Sequence, residues 1–252
     1  MDEPKRDDRE QFAEATRCNS LALGSDKEIF LQSRDLLVAA DTYRYSYLWT
    51  WMGVPIIQMP ADIIATQEVI WKSRPDVIIE TGVARGGSLI FYASLLTLLG
   101  QGKVIGVDID VRTHNRESIE KSPISSRISL IEGPSTNAET IERVKAEIPP
   151  GAAVMVILDS NHSRTHVLDE MRAYGPLVTQ GQYFIVADTI LGHFETNQTP
   201  TERSHIWHRG DEPLAALQDY LAECDRFVQD PEINGKLILS SSPGGYLKCV
   251  KD

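Results

Sequence analysis

Between residues 76 and 190, five short apolar runs alternate with helical segments, and that alternation limits the fold more than any other feature of the chain. The runs are Val77-Ile78-Ile79, Val104-Ile105-Gly106-Val107, Ile128-Ser129-Leu130-Ile131, residues 154–158 and Tyr183-Phe184-Ile185-Val186. They are short, β-branched and mostly uninterrupted by polar residues, as expected of strands covered on both faces. Residues 88–99 predict a strongly apolar helix closed by Gly100, and residues 113–121 a weaker one. The capping box Thr136-x-x-Glu139 predicts a helix reaching residue 148. Residues 163–174 place Val167, Leu168, Met171 and Tyr174 on one helical face. Right-handed crossovers then make this an α/β, doubly wound, mostly parallel sheet. Residues 236–239 and 246–250 read as two last strands, joined through Ser-Ser-Ser-Pro-Gly-Gly. They predict a C-terminal antiparallel hairpin and seven strands in all.

Residues 1–75 read as an N-terminal helical extension, and residues 76–252 as the main domain. Helices are expected near residues 11–18, over 27–40 and over 61–72, the last opened by Pro60. Between them, Tyr43-Arg44-Tyr45-Ser46-Tyr47-Leu48-Trp49-Thr50-Trp51-Met52 is half aromatic. Such a segment needs burial: against the main domain, in a homo-oligomer, or as a lid over a site. The chain carries 36 acids against 25 bases, a net charge of −11 spread along its length. That balance argues against nucleic acid and anionic membrane surfaces as partners, since both need clustered Lys and Arg. Three scattered cysteines predict a reducing, cytoplasmic setting. The charged first ten residues do not read as a signal peptide. No apolar run approaches the ~20 residues that span a bilayer.

The chemistry-bearing residues cluster at the ends of the expected strands. Glu80-Thr81-Gly82-Val83-Ala84-Arg85-Gly86-Gly87-Ser88 joins the first strand to the apolar helix. Its glycines allow a tight turn and close ligand approach, with a helix N-terminus aimed at the ligand. The spacing is neither a Walker A loop nor Gly-x-Gly-x-x-Gly. Glu80 disfavours a pyrophosphate there but suits an amine. Asp108 ends the second strand, where an acid accepts hydrogen bonds from ribose hydroxyls, and Asp110 either shares that task or is solvated. Asp159 ends the fourth strand and Asp188 the fifth, a pair suited to a hard cation such as Mg²⁺. His162, three residues past Asp159, is the candidate general base. Residues 189–210 form a long aperiodic loop containing His193, His205 and His208, which read as solvated.

These motifs resemble the cephalosporin hydroxylase and rhamnosyl O-methyltransferase family of class I S-adenosylmethionine-dependent methyltransferases, a Rossmann-like fold. The resembling residues are the 79–88 turn, residues 104–110, Glu132-Gly133-Pro134-Ser135, Asp159-x-x-His162, residues 183–188 and Ser242-Pro243-Gly244-Gly245-Tyr246-Leu247-Lys248. The resemblance implies methyl transfer to a sugar hydroxyl of a glycosylated natural product, as in antibiotic biosynthesis. It implies that Glu80, Gly82 and Ser88, with Thr81, Arg85 and Gly87 of the same turn, hold the methionine part of S-adenosylmethionine. Asp108 and Asp110 would then take the ribose, and Gly133 and Ser135 the adenine. Asp159 and Asp188 would ligate Mg²⁺, and His162 would deprotonate the acceptor. Family members often have two adjacent acids where this chain has Ala187-Asp188, so Asn161, water or the substrate diol would complete the metal shell. Two alternatives are a non-sugar antibiotic nucleus as the substrate of methylation or hydroxylation, and a non-catalytic nucleoside-binding homologue.

Overall fold

The computed structural model describes residues 8–195 and 210–252. The charged start at residues 1–7 and the loop residues 196–209, with His205 and His208, lie outside them. Two helices come first, α1 (Arg9–Gly24) and α2 (Lys27–Asp41), and Asp26 caps α2 by accepting from the Glu28 and Ile29 amides. A 3₁₀ turn (Tyr45–Leu48) leads into a small antiparallel ribbon of β1 (Thr50–Trp51) and β2 (Val54–Pro55). Then follow α3 (Pro60–Ser73), β3 (Val77–Thr81), α4 (Gly87–Leu99), β4 (Lys103–Asp108), α5 (Thr113–Glu120) and β5 (Ile128–Glu132). The chain continues with α6 (Ala138–Ala146), β6 (Val154–Leu158), α7 (Arg164–Tyr174), β7 (Tyr183–Val186), α8 (Pro213–Glu223), β8 (Phe227–Gln229), α9 (Pro231–Gly235) and β9 (Tyr246–Cys249).

The main sheet runs β5-β4-β3-β6-β7-β9-β8. Its first five strands are parallel, β9 is antiparallel to β7, and β8 is antiparallel to β9. The expected seven-stranded doubly wound sheet is therefore present. Alternation along β3 divides the core. Ile78 faces a cluster with Ile70, Leu89 and Tyr92, whereas Val77 and Ile79 face one with Val144, Met171 and Tyr174. Helix α4 is buried nearly all round, which explains its unbroken apolar sequence. The winding reverses between β3 and β6, which sets the ligand crevice at their carboxyl ends.

Four local expectations need correction. Residues 236–239 form no strand; the edge strand is Phe227–Gln229. Phe227 earns that place through an aromatic cluster with Phe184 (5.3 Å) and Tyr220 (5.9 Å), while Leu237 is buried in the core from a loop. The Ser-Ser-Ser-Pro-Gly-Gly stretch is consequently no hairpin turn, because α9 intervenes between the paired strands. Helix α6 is capped by Asn137, whose Oδ1 accepts from the Glu139 amide at 2.8 Å, and not by Thr136. Helix α1 runs further than residues 11–18 and is docked on α9. A Cβ on Gly24 would lie 2.7 Å from Gly235 Cα, and Ser20 donates to the Glu232 carbonyl. Finally, His193 is not solvated: its ring meets Phe30 edge-on at 4.9 Å and its carbonyl accepts from Arg34.

The aromatic segment divides its side chains. Trp51 packs on Phe91 at 4.7 Å and donates its indole N–H to Ser94. Tyr43, Leu48 and Met52 stay exposed.

Candidate active site

The turn after β3 is built around one carboxylate. Asp108, ending the neighbouring β4, accepts the Val83 amide (2.8 Å) and the Ala84 amide (3.2 Å) on one oxygen, and the Asp110 amide on the other. Asp108 therefore holds the turn in shape, a role its sequence position did not reveal. Asp110 is largely exposed and only loosely paired with Arg112 at 3.9 Å. Gly82 has φ +93°, and a Cβ there would sit 1.9 Å from the Asp159 carbonyl oxygen. This glycine thus brings the ends of β3 and β6 together. Ala84 also takes a positive φ (45°), as does Asp188 at the end of β7 (56°). Non-glycine residues in this region cost about 1–2 kcal/mol each and collect at functional sites.

Above the switch point opens a cavity of about 550 Å³. Of the residues singled out from sequence, Gly82, Arg85, Ser88, Asp159, His162 and Asp188 line it. Glu80 stands immediately behind, fully buried, accepting from the Ser88 hydroxyl (2.6 Å) and the Tyr92 hydroxyl (2.8 Å). Thr81 and Gly87 are buried out of the lining; a Cβ on Gly87 would strike the Pro55 carbonyl at 2.3 Å, so this glycine seats the ribbon. Gly133 and Ser135 follow β5 and are not among the residues that line the cavity. Asn161 is outside the lining, and its Oδ1 accepts the Ser163 amide at the start of α7.

His162 Nδ1 lies 3.1 Å from Asp188 Oδ2, so the expected base and the carboxylate after β7 form one unit. Asp159 is held well above the usual carboxylate range, first by burial and then by the charges of Asp188, Glu80, Asp62 and Glu170. Sequence reading missed Asp62. It sits in the first turn of α3, where an acid looks like an ordinary helix-dipole residue. In the fold it is buried, accepts from Ser240 and Ser241 across the chain, and burial pushes it up to about 6. Tyr92 was also missed, although it falls four residues after Ser88 and so shares its helical face. Tyr47 lines the cavity from the aromatic segment, for which a lid is one reading, and Ser242 from the last of the resembling motifs, whereas Leu37, Asp41, Ser240 and Ser241 belong to no motif.

Burial pushes Glu80 up to about 8, against the opposing hydrogen bonds of Ser88 and Tyr92. Between its ordinary 4.5 and about 8 the folded chain binds this proton and the unfolded chain releases it. Stability from this group is therefore full at low pH and is lost as pH rises through that window. Glu80→Gln keeps the shape and removes the titration. Its ligand-free melting temperature is expected to fall less steeply between about pH 6 and 8, and to exceed wild type at pH 8 by about 2–4 °C for each kcal/mol gained. Asp159 adds the same sign in both proteins, so the readout is the difference in slope. Superimposable profiles in scanning calorimetry would refute the assignment.

Two cofactor classes can be tested against these groups. The N-terminus of α4 has no side-chain cap and Ser88 of its first turn lines the cavity, an arrangement that suits a carboxylate, while the acids about it suit ammonium and sulfonium charge. An amino-acid-bearing sulfonium therefore fits. The donor set of Asp159 and Asp188, lacking a neighbouring ammonium or guanidinium among the charges acting on Asp159, also fits a hard cation. Among the described residues no three His, Cys, Asp or Glu side chains form a ready metal cage. The protein would thus contribute two carboxylates and leave the remaining positions to oxygen ligands from outside.

This sheet order, with a glycine turn and an acidic rim at its switch point, together with the family match that follows, makes the chain an S-adenosylmethionine-dependent O-methyltransferase. Within it, this chain belongs to the rhamnosyl O-methyltransferase/CmcI family, whose model matches residues 43–250. It is 36% identical over 159 residues to a rhamnosyl O-methyltransferase of Mycobacterium leprae, covering 60% of this chain and 66% of that enzyme. It is 30% identical over 233 residues to the rhamnosyl O-methyltransferase of Mycobacterium tuberculosis (strain ATCC 25618 / H37Rv), covering 87% and 88%. The solved structure of CmcI-N160 without ligand has the same fold, with a TM-score of 0.59, 24% identity and coverage of 82% and 78%. So does that of CmcI-D160 with Mg and SAM, at 0.56, 22%, 81% and 78%.

Proposed function

We propose that this protein methylates a sugar hydroxyl of a glycosylated natural product, using S-adenosylmethionine, with Mg²⁺ at Asp159 and Asp188 and His162 as general base. The observation that carries the reading is the His162–Asp188 pair at 3.1 Å on the wall of a cavity that also exposes Asp159. Its family relatives named as rhamnosyl O-methyltransferases support the sugar acceptor, and the Mg and SAM named for CmcI-D160 support the two cofactors.

Bound there, the sulfonium would supply an electrophilic methyl group and Mg²⁺ would lower the pKa of a coordinated hydroxyl. The protein's part is to orient and to move a proton. Asp188 holds the imidazole through Nδ1, leaving Nε2 to take the acceptor's hydroxyl proton. The N-terminus of α4 and the buried acids about Glu80 fix the amino-acid end. Leu37, Tyr47, Ile190 and Phe194 close the acceptor side and exclude water. Among the described residues no helix is long and apolar enough to cross a membrane, in keeping with a cytoplasmic enzyme. The exposed Tyr43, Leu48 and Met52 support a homo-oligomer.

The test is calorimetry with S-adenosylhomocysteine, with and without Mg²⁺, followed by assay against rhamnosides and related glycosides by mass spectrometry. Binding that strengthens with Mg²⁺ and a methylated glycoside are expected. No binding in either condition would overturn the reading, and methylation confined to non-sugar hydroxyls would overturn its acceptor.

A further inference from the structure

His166 is absent from every motif considered so far, yet it stands at a junction. It lies in the first turn of α7. Its Nε2 is 3.2 Å from Ser135 Oγ, 3.3 Å from Ser160 Oγ and 3.3 Å from Glu170 Oε1. Ser160 also donates to Glu170 Oε1 at 2.7 Å. Glu170, one helical turn on, is wholly buried, and its Oε2 has no hydrogen-bond partner among the described residues. A buried carboxylate left half-satisfied is costly unless a cation stands against it. His166 is the basic group that does, and the Glu170 hydrogen bond raises its basicity against the opposing effect of burial.

The two serines belong to opposite sides of the crevice. Ser135 follows β5, on one side of the switch point, and Ser160 follows Asp159 at the end of β6, on the other. The same helix grips the Ser135 loop a second time, since Tyr174 donates its hydroxyl to the Ser135 carbonyl at 2.9 Å. One helix therefore carries two ties to the β5 loop, through His166 and Tyr174, and two to the loop of the catalytic carboxylate, through His166 and Glu170.

We infer that His166 and Glu170 form a positioning pair, which sets the nucleoside side of the cofactor site against the catalytic loop by bridging Ser135 to Ser160. The inference rests on the proposed cofactor and on the placement of its adenine end at Ser135 that the family resemblance implies. The imidazole acts through the serines: it fixes where the β5 loop stands, and Glu170 fixes the imidazole. Its loss loosens cofactor binding at the nucleoside end, so KM for the cofactor suffers more than kcat.

The experiment measures S-adenosylhomocysteine and adenosine affinities by calorimetry for wild type, His166→Ala, His166→Gln and Glu170→Gln, with melting temperatures taken alongside. His166→Ala is expected to weaken both ligands by the same factor, about tenfold. Adenosine lacks the methionine arm, so an equal loss locates the effect at the nucleoside. His166→Gln, which keeps one N–H donor, recovers part of the loss. Glu170→Gln preserves shape and weakens binding in the same direction. If His166→Ala lowers the melting temperature but leaves both affinities within twofold, the pair is merely structural and the inference fails. If wild type binds neither ligand, the cofactor reading itself fails, which is a different outcome.

Discussion

Replacing His162 with alanine is expected to lower turnover by about 10²–10⁴, the usual contribution of a positioned general base. The physical ground is the 3.1 Å contact between Nδ1 and Asp188. A carboxylate on one imidazole nitrogen fixes the ring's orientation and leaves the other nitrogen to receive a proton. Alanine removes the acceptor of that proton and creates a space that water fills, and water is a poor substitute because it is neither basic enough nor oriented. Binding of S-adenosylhomocysteine should persist, since the glycine turn, the α4 amides and Glu80 are untouched. Single-turnover assays, which isolate the chemical step, give the decisive readout. A variant within about tenfold of wild type would mean that the proton leaves by another route.

Gly82→Ala is expected to have the largest effect on the folded state. The new methyl group would meet the Asp159 carbonyl carbon and oxygen and Ser160 Cα, all of them backbone atoms that no rotamer change can move. The residue also holds φ +93°, where an L side chain is strained. Together these should cost at least about 3 kcal/mol, or about 6–12 °C in melting temperature for a chain of this size. Relief can come only by parting β3 from β6, which displaces Asp159. Loss of S-adenosylhomocysteine binding should therefore accompany the loss of stability. Thermal scans with and without ligand check this, and a variant that melts normally and still gains stability from ligand would contradict it.

The parallel sheet could be read from sequence because its evidence is local. Runs such as Val77–Ile79 are buried on both faces, and Gly100 and Pro60 mark helix ends without help from the rest of the fold. The sixth strand could not be read this way. Residues 236–239 have the composition of a strand, but Phe227 had Phe184 and Tyr220 to pack against, and tertiary packing overrode propensity. The site divides along the same line. Asp159, His162 and Asp188 were legible because strand ends bring them together in any doubly wound sheet. Asp62 was not, because its partners Ser240 and Ser241 lie 178 and 179 residues away. Asp108 was singled out, but its hold on the turn was not, since nothing in a sequence shows that its oxygens face the amides of Val83 and Ala84.

Leu37 and Tyr47 line the cavity, and Leu37 packs with Ile190 and Phe194, just past β7. The residues proposed for the chemistry follow the strands of the sheet, whereas this part of the cavity wall comes from α2, the 3₁₀ turn after it and the segment after Asp188. Selection can therefore act on the two separately. A relative that exchanged residues 27–48 together with the segment after Asp188 would keep the β1–β2 ribbon seated on Gly87 and present a different cavity wall.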